Sequence, residues 1–155
     1  MEAGDNSAPP KAVLFVCTFN AIRSPMAAGL LKRRFGPLIE VESAGIRASS
    51  HGEVDYMAVM AMDELGVDLA KFRPKNIADL DEDAHFDLVV SLSPEAHHRM
   101  LDLVPKLADE AEYWPTLDPS FGEGNREQRM AEYRAVRDAL DQRIAKRFPR
   151  DITAV

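Results

Sequence analysis

Two residues with side chains suited to catalysis lie close together near the start of this sequence. Cys17 is the only cysteine in the 155-residue chain, and five residues separate it from Arg23. A cysteine thiolate is a strong nucleophile, and a guanidinium can donate two parallel hydrogen bonds to the oxygens of a tetrahedral anion. The pair therefore predicts a phosphate-binding loop in which Cys17 attacks the phosphorus, or a like-shaped oxyanion centre, of a substrate.

The residues between and beside this pair supply further groups. Backbone N–H groups can curl inward as an anion-binding concavity, and a following helix adds the positive end of its dipole. These groups favour the thiolate form of Cys17, and the hydroxyl of Ser24 is placed to hydrogen-bond the sulfur. Asn20 suits a left-handed backbone position that turns the loop. The predicted phosphate-binding residues are Thr18, Phe19, Asn20, Ala21, Ile22 and Arg23.

The elements around the loop must position it. Residues 12–17 form a short continuous apolar run, typical of a strand buried on both faces, and Ser24 before Pro25 predicts a helix N-cap. Taken singly, Cys17 could equally end a core strand and Arg23 could lie on a solvated helix. Placement between a strand and a helix favours the phosphate-loop interpretation, because ligands of open α/β sheets bind at the carboxyl ends of strands.

The rest of the chain alternates between strand and helix patterns. This alternation predicts an α/β fold with a four-stranded parallel sheet, helices on both faces and the phosphate-binding loop after the first strand. Residues 1–10 are predicted to be a flexible N-terminal lead-in and residues 11–155 a single domain. The further strands are predicted at residues 39–43, 86–92 and 111–114, and the further helices at residues 54–65, 94–103 and 127–148.

Composition excludes several classes of function. The net charge of −7 argues against broad attraction to nucleic acid or to an anionic membrane. No apolar run approaches the roughly 18 residues that a membrane-spanning helix needs, and the acidic, polar start is wrong for a secretory signal, so we expect a cytoplasmic protein. A single cysteine excludes an intramolecular disulfide and a cysteine-based metal cage. We expect no cofactor and no metal ion.

Residues 17–24 resemble the signature of the low-molecular-weight protein tyrosine phosphatase family, which shares its fold with thioredoxin-coupled arsenate reductases. The resemblance covers residues 11–148 and includes Ser43, Ala44 and Gly45 after the second strand. It also includes residues 118–122, although Asp118 before a proline is in itself a common turn opener. The resemblance implies hydrolysis of a phosphorylated protein or a small phosphomonoester through a cysteinyl-phosphate intermediate. It makes Asp118 the acid for the leaving oxygen and then the base for water.

The chain departs from the family pattern inside the loop and around it. Phe19 stands where the family usually has glycine, and Ile22 stands where it usually has a second cysteine. The segment after Gly45 lacks the aromatic residue that tyrosine phosphatases commonly place against the phenyl ring. We therefore expect the pocket rim to be formed by Phe19 and Phe121.

Two alternatives to phosphatase activity remain open from the sequence. Residues 58–69 and 88–92 look closer to the arsenate reductase branch, but the two relay cysteines of that branch would fall near Ser93 and Met100. Only a reductase that uses an external low-molecular-weight thiol is then possible. The other alternative is a non-catalytic phosphate or sulfate sensor.

Overall fold

The computed structural model describes residues 9–49 and 51–148 of the chain. The lead-in predicted for residues 1–10 therefore falls mostly outside the described residues. The predicted α/β fold is confirmed, with one four-stranded parallel sheet in the order β2-β1-β3-β4. The strands are β1 (Ala12–Cys17), β2 (Glu40–Gly45), β3 (Phe86–Ser91) and β4 (Ala108–Tyr113).

Strand β1 is continuously apolar because it is an inner strand with helices packed on both faces of the sheet. Val13 and Phe15 belong to one core cluster, and Leu14 and Val16 belong to the cluster on the opposite face. Neighbouring residues of a strand point to opposite faces, so a strand in this position needs apolar residues throughout. Cys17, at the carboxyl end of β1, therefore lies at the edge of this core.

Four helices cover the two faces of the sheet, as predicted. Helices α1 (Arg23–Phe35), α2 (Tyr56–Asp63) and α4 (Arg126–Arg147) pack together on one face. Helix α3 (Pro94–Leu103) packs on the other face through Ala96 and Met100. None of the described helices combines the length and the apolar character that crossing a membrane requires.

The prediction that Ser24 is a helix N-cap is wrong, whereas the same Ser-Pro pattern does begin α3. Helix α1 has Ile22 as its N-cap and begins at Arg23, so Ser24 lies within its first turn. By contrast, the Ser93 side chain accepts a hydrogen bond from the backbone N–H of Ala96 and caps α3. The difference arises because other partners in the loop engage the Ser24 hydroxyl.

The largest error in a strand boundary concerns β4, an edge strand that begins at Ala108 rather than at residue 111. Asp109 and Glu110 within it are exposed. An edge strand has one side open to water, and charged residues on such strands limit unwanted pairing with other chains. The apolar pattern consequently reveals only the second half of this strand.

Ion pairs fasten α4 to the helices beside it. Arg134 and Arg137 both contact the Glu64 carboxylate, which follows α2, at 2.8 Å. Arg34 of α1 makes a two-pronged contact with Asp141 through bonds of 2.9 and 3.0 Å. The guanidiniums of Arg134 and Arg137 lower the pKa of Glu64 to about 2.

Candidate active site

Cys17 is the last residue of β1 and lies at the base of the loop that leads into α1. Its side chain is only 2% exposed. The Sγ atom accepts a hydrogen bond from the backbone N–H of Asn20 at 3.3 Å and lies 2.9 Å from Oγ of Ser24. The sulfur is thus contacted by one backbone donor and by one hydroxyl that can donate to it.

Asn20 organises the loop through both its backbone and its side chain. It is the only residue other than glycine with a positive φ in the described chain, at 55°. Its amide nitrogen donates to Oγ of Ser24 at 2.8 Å and to Oγ of Ser43 at 3.0 Å. Its amide oxygen accepts from the backbone N–H of Lys75 at 2.9 Å. Asn20 therefore joins the loop to β2 and to the segment before β3.

Gly45, at the end of β2, lets that strand pass directly beneath the loop. A Cβ atom added at this position would lie 2.8 Å from backbone atoms of Thr18, Phe19 and Asn20. The backbone N–H groups that follow it, those of Ile46 and Arg47, donate to the carbonyls of Cys17 and Thr18 at 3.1 and 2.8 Å. Only glycine fits here without movement of the loop backbone.

The loop keeps several backbone donors without protein partners. Within residues 9–49 and 51–148, no acceptor receives a hydrogen bond from the N–H groups of Thr18, Phe19, Ala21 or Ile22. These donors sit at the N-terminus of α1, where the helix dipole favours negative charge. The loop can therefore bind the oxygens of a tetrahedral anion.

Arg23 and Asp118 lie close together at the loop although 94 residues separate them in the chain. One terminal nitrogen of Arg23 donates to the carbonyl of Thr116 at 3.0 Å, and the other lies 3.8 Å from Oδ2 of Asp118. Oδ1 of Asp118 accepts from the backbone N–H and the hydroxyl of Ser120, at 2.9 and 2.6 Å. These contacts hold one carboxylate oxygen and leave the other facing the arginine.

Two residues outside the loop complete its surroundings. The backbone N–H of Asp55, the N-cap of α2, donates to the carbonyl of Ala21 at 2.9 Å. Tyr133 of α4 is fully buried; burial raises the pKa of its hydroxyl well above the usual range, and the charge of Asp55 adds to this shift. The phenol is therefore neutral and adds no negative charge beside Asp55.

The two residues predicted to form a pocket rim are both exposed, Phe19 at 54% and Phe121 at 82%. Phe121 shares a groove with Asp118, whereas Phe19 does not line that groove. Leu117 and Tyr56 are also exposed near the site, and the sequence analysis did not single them out.

Several supporting contacts were missed because their partners are distant in sequence. Ser43 was noted only as part of a motif, and Lys75 and Thr116 act through backbone groups, which no residue type reveals. Ser120 carries a usable signal, since a serine two residues after an aspartate is typical of a local side-chain turn. Asp55 before an apolar helical stretch is likewise typical of an N-cap.

Comparison with known proteins shows the family. The family described as low molecular weight phosphotyrosine protein phosphatase matches residues 12–153, so the chain belongs to it. An arsenate reductase of Bacillus licheniformis is 38% identical over 138 residues, which are 89% of this chain and 94% of that protein. A protein-arginine-phosphatase of Geobacillus stearothermophilus is 33% identical over 142 residues, covering 85% of this chain and 90% of that protein.

Solved structures agree with the fold. An arsenate reductase in the phosphate-binding state superposes with a TM-score of 0.70 at 28% identity, covering 94% of this chain and 98% of that one. The tyrosine phosphatase AmsI of Erwinia amylovora gives a TM-score of 0.73 at 23% identity, over 91% of this chain and 93% of that one. Both structures therefore share the fold of this chain.

Proposed function

We propose that the protein hydrolyses phosphomonoesters, of the phosphotyrosine type on protein substrates, through a cysteinyl-phosphate intermediate. The observation that supports this most is the meeting of the Cys17 loop, Arg23 and Asp118 in a chain with one cysteine. Ester hydrolysis involves no oxidation or reduction, so a second thiol is not required. The reaction by this route needs one nucleophilic sulfur, one proton-transfer group and water. The chain supplies every protein group that this reaction requires.

In the first step, the Cys17 thiolate attacks phosphorus while the bond from phosphorus to the leaving oxygen breaks. Charge on the three other oxygens is balanced by the loop N–H groups and by Arg23. Asp118, protonated at this stage, gives its proton to the leaving oxygen. The products are a free hydroxyl compound and phosphate bound covalently to sulfur.

In the second step, water attacks the phosphorus of the intermediate and Asp118 accepts a proton from it. The sulfur–phosphorus bond breaks, and inorganic phosphate and the thiolate are released. Because Asn20 already donates to Oγ of Ser24, the hydroxyl proton of Ser24 is free to point at Sγ, 2.9 Å away. Ser24 thereby stabilises the departing thiolate of Cys17.

Arsenate reduction is the second candidate, and the relatives named arsenate reductase favour it. Conversion of arsenate to arsenite takes two electrons, so after a sulfur–arsenic bond forms, a second thiol must attack the sulfur and leave a disulfide. At the positions where the family resemblance would set relay cysteines, the Ser93 hydroxyl caps α3 and accepts from Thr18, and Met100 is fully buried. The second thiol would have to be an external small molecule.

A non-catalytic anion sensor is the third candidate. A carboxylate next to an anion site weakens anion binding by repulsion when it is ionised, and Asp118 lies 3.8 Å from Arg23. A sensor gains nothing from that arrangement, whereas hydrolysis uses it.

One paired assay distinguishes the three candidates. Wild type and Cys17→Ser are tested for hydrolysis of p-nitrophenyl phosphate and for consumption of arsenate with and without glutathione. Phosphatase activity predicts steady hydrolysis by wild type without thiol, abolished in Cys17→Ser. Arsenate consumption only with thiol, without ester hydrolysis, would instead assign the reductase, and binding of phosphate without either reaction would assign the sensor.

A further inference from the structure

A groove of about 550 Å³ lies between the segment that carries Asp118 and the outer face of α4. Trp114, Leu117 and Phe121 line one side, and Val136 and Ala139 of α4 line the other. No residue of the Cys17–Ser24 loop lines it. Its volume and its largely apolar walls are those of sites that bind organic groups rather than simple ions.

Large apolar side chains around the candidate active site are unusually exposed. Six large hydrophobic residues are exposed in the described part of the chain, and four of them border this site: Phe19, Tyr56, Leu117 and Phe121. Leu117, at 84%, and Phe121 stand on either side of Asp118 in sequence. Exposed apolar groups gathered beside a site mark a binding surface. A free phosphate or arsenate ion has no apolar part to occupy it.

We propose that the groove binds a bulky apolar side chain of the polypeptide that carries the phosphorylated residue. This inference rests on the proposed phosphatase function and specifies its substrate class. Asp118 gives the connection, since it faces Arg23 and also lines the groove. The leaving oxygen must come next to Asp118 to receive its proton, so the polypeptide attached to that oxygen continues from Asp118 along the groove.

The inner wall of the groove is fixed before any substrate binds. Trp114 is 2% exposed, its ring meets Phe15 edge-on with centroids 5.9 Å apart, and the guanidinium of Arg143 lies 5.1 Å above it. A preformed apolar wall loses little conformational entropy on binding. Trp114 is also the only tryptophan of the chain, so its fluorescence reports occupancy of the groove.

The test compares two phosphotyrosine peptides of equal charge, one with leucine and phenylalanine flanking the phosphotyrosine and one with alanine there. Wild type is expected to show about tenfold higher kcat/KM for the apolar peptide, the factor that follows from partial burial of one such side chain. p-Nitrophenyl phosphate, which has no flanking side chain to place in the groove, is measured alongside as the small substrate.

A matched pair of variants tests whether the groove is responsible. Ala139→Glu places a charge in the groove, and Ala145→Glu places the same charge at an exposed position of α4 that does not line it. In Ala139→Glu, the ratio of kcat/KM for the apolar peptide to that for p-nitrophenyl phosphate should fall about tenfold. In Ala145→Glu, this ratio should match wild type.

Binding is checked separately in the Cys17→Ser variant, where the apolar peptide should change Trp114 emission and the alanine peptide should not. If p-nitrophenyl phosphate is hydrolysed but both peptides react equally well, the inference is overturned and the proposed function stands. If wild type hydrolyses nothing, the proposed function itself fails. A dimer of wild type that Ala139→Glu dissociates without any peptide would assign the groove to self-association and overturn the inference.

Discussion

At the scale of single residues, the site depends on side chains that shape the loop as much as on those that react. Asn20 is fully buried, holds a left-handed backbone and hydrogen-bonds to three separate segments. Left-handed backbone disfavours residues with a Cβ by roughly 1–2 kcal/mol, and asparagine tolerates it better than most. The residue is thus suited to this position for two independent reasons.

These two reasons can be separated by a pair of substitutions. Asn20→Ala removes the hydrogen bonds and keeps a Cβ in the left-handed position, whereas Asn20→Gly removes the hydrogen bonds but relieves the backbone. We expect Asn20→Ala to lower the free energy of unfolding by about 1 kcal/mol more than Asn20→Gly, and both to lower kcat/KM at least about tenfold. Urea unfolding and steady-state kinetics measure the two effects. Equal stability of the two variants would contradict the backbone explanation.

The role proposed for Asp118 predicts a dependence on the leaving group. p-Nitrophenolate leaves readily without a proton, whereas phenolate needs one. Asp118→Asn should therefore reduce kcat/KM for phenyl phosphate by about 10²–10⁴ and for p-nitrophenyl phosphate much less. The ratio kcat/KM is the correct measure because it reports the step up to formation of the intermediate. An equal loss for both substrates would mean that Asp118 positions the loop without transferring a proton.

At the scale of elements, α4 is held against α2 by charge as well as by apolar packing. The pKa of Glu64 is lowered from 4.5 to about 2, chiefly by hydrogen bonds from Arg134 and Arg137. A lowered folded-state pKa stabilises the fold at pH values above the unfolded pKa, and this stabilisation is lost as the carboxylate is protonated between about pH 4.5 and pH 2.

Replacement of this carboxylate should therefore matter only when it is ionised. Glu64→Gln is expected to lower the free energy of unfolding at about pH 7, and the difference from wild type should shrink as the pH falls below about 4. Urea unfolding at several pH values measures it. Glu123→Gln serves as the control, since Glu123 is exposed and makes no ion pair within the described chain. A difference that stays constant with pH would rule out the ion pairs as its cause.

The elements also show where sequence reasoning succeeds and where it fails. Continuous apolar runs revealed β1 and β3 because inner strands of a parallel sheet are buried on both faces. The Ser-Pro pattern identified the start of α3 but misplaced the cap of α1, because Cys17 and Asn20 compete for the Ser24 hydroxyl. The positions of the nucleophile and the arginine follow from the local sequence. Contacts through Lys75 and Thr116 do not, since backbone groups carry no sequence signal.

At the scale of the whole molecule, the notable property is the single sulfur nucleophile in 155 residues. Ile22, a buried residue of the same loop, has an apolar side chain and supplies no second thiol there. No neighbouring thiol is present to convert a sulfenic acid on Cys17 into a protective disulfide, so further oxidation leads to irreversible acids.

Oxidation of Cys17 should accordingly be irreversible in wild type and reversible in a variant that has a second cysteine in the loop. After treatment with hydrogen peroxide, dithiothreitol should restore less than about a tenth of wild-type activity but most of the activity of Ile22→Cys. Inorganic phosphate in the loop should slow the loss in both. Mass spectrometry should find sulfinic or sulfonic acid on Cys17 only in wild type. Full recovery of wild type would show that its sulfenic acid persists without a partner.

The glycine that ends β2 has a practical consequence for engineering. The backbone of Gly45 lies against the backbone of residues 18–20, so any side chain at this position would displace the loop. Substitutions of Gly45 should therefore lower the stability of the protein together with its activity. Variation is better directed to outward-facing positions such as Phe19, whose side chain has room to change size. Variants with altered substrate selectivity should therefore carry substitutions at exposed positions around the loop, and Gly45 should remain glycine in them.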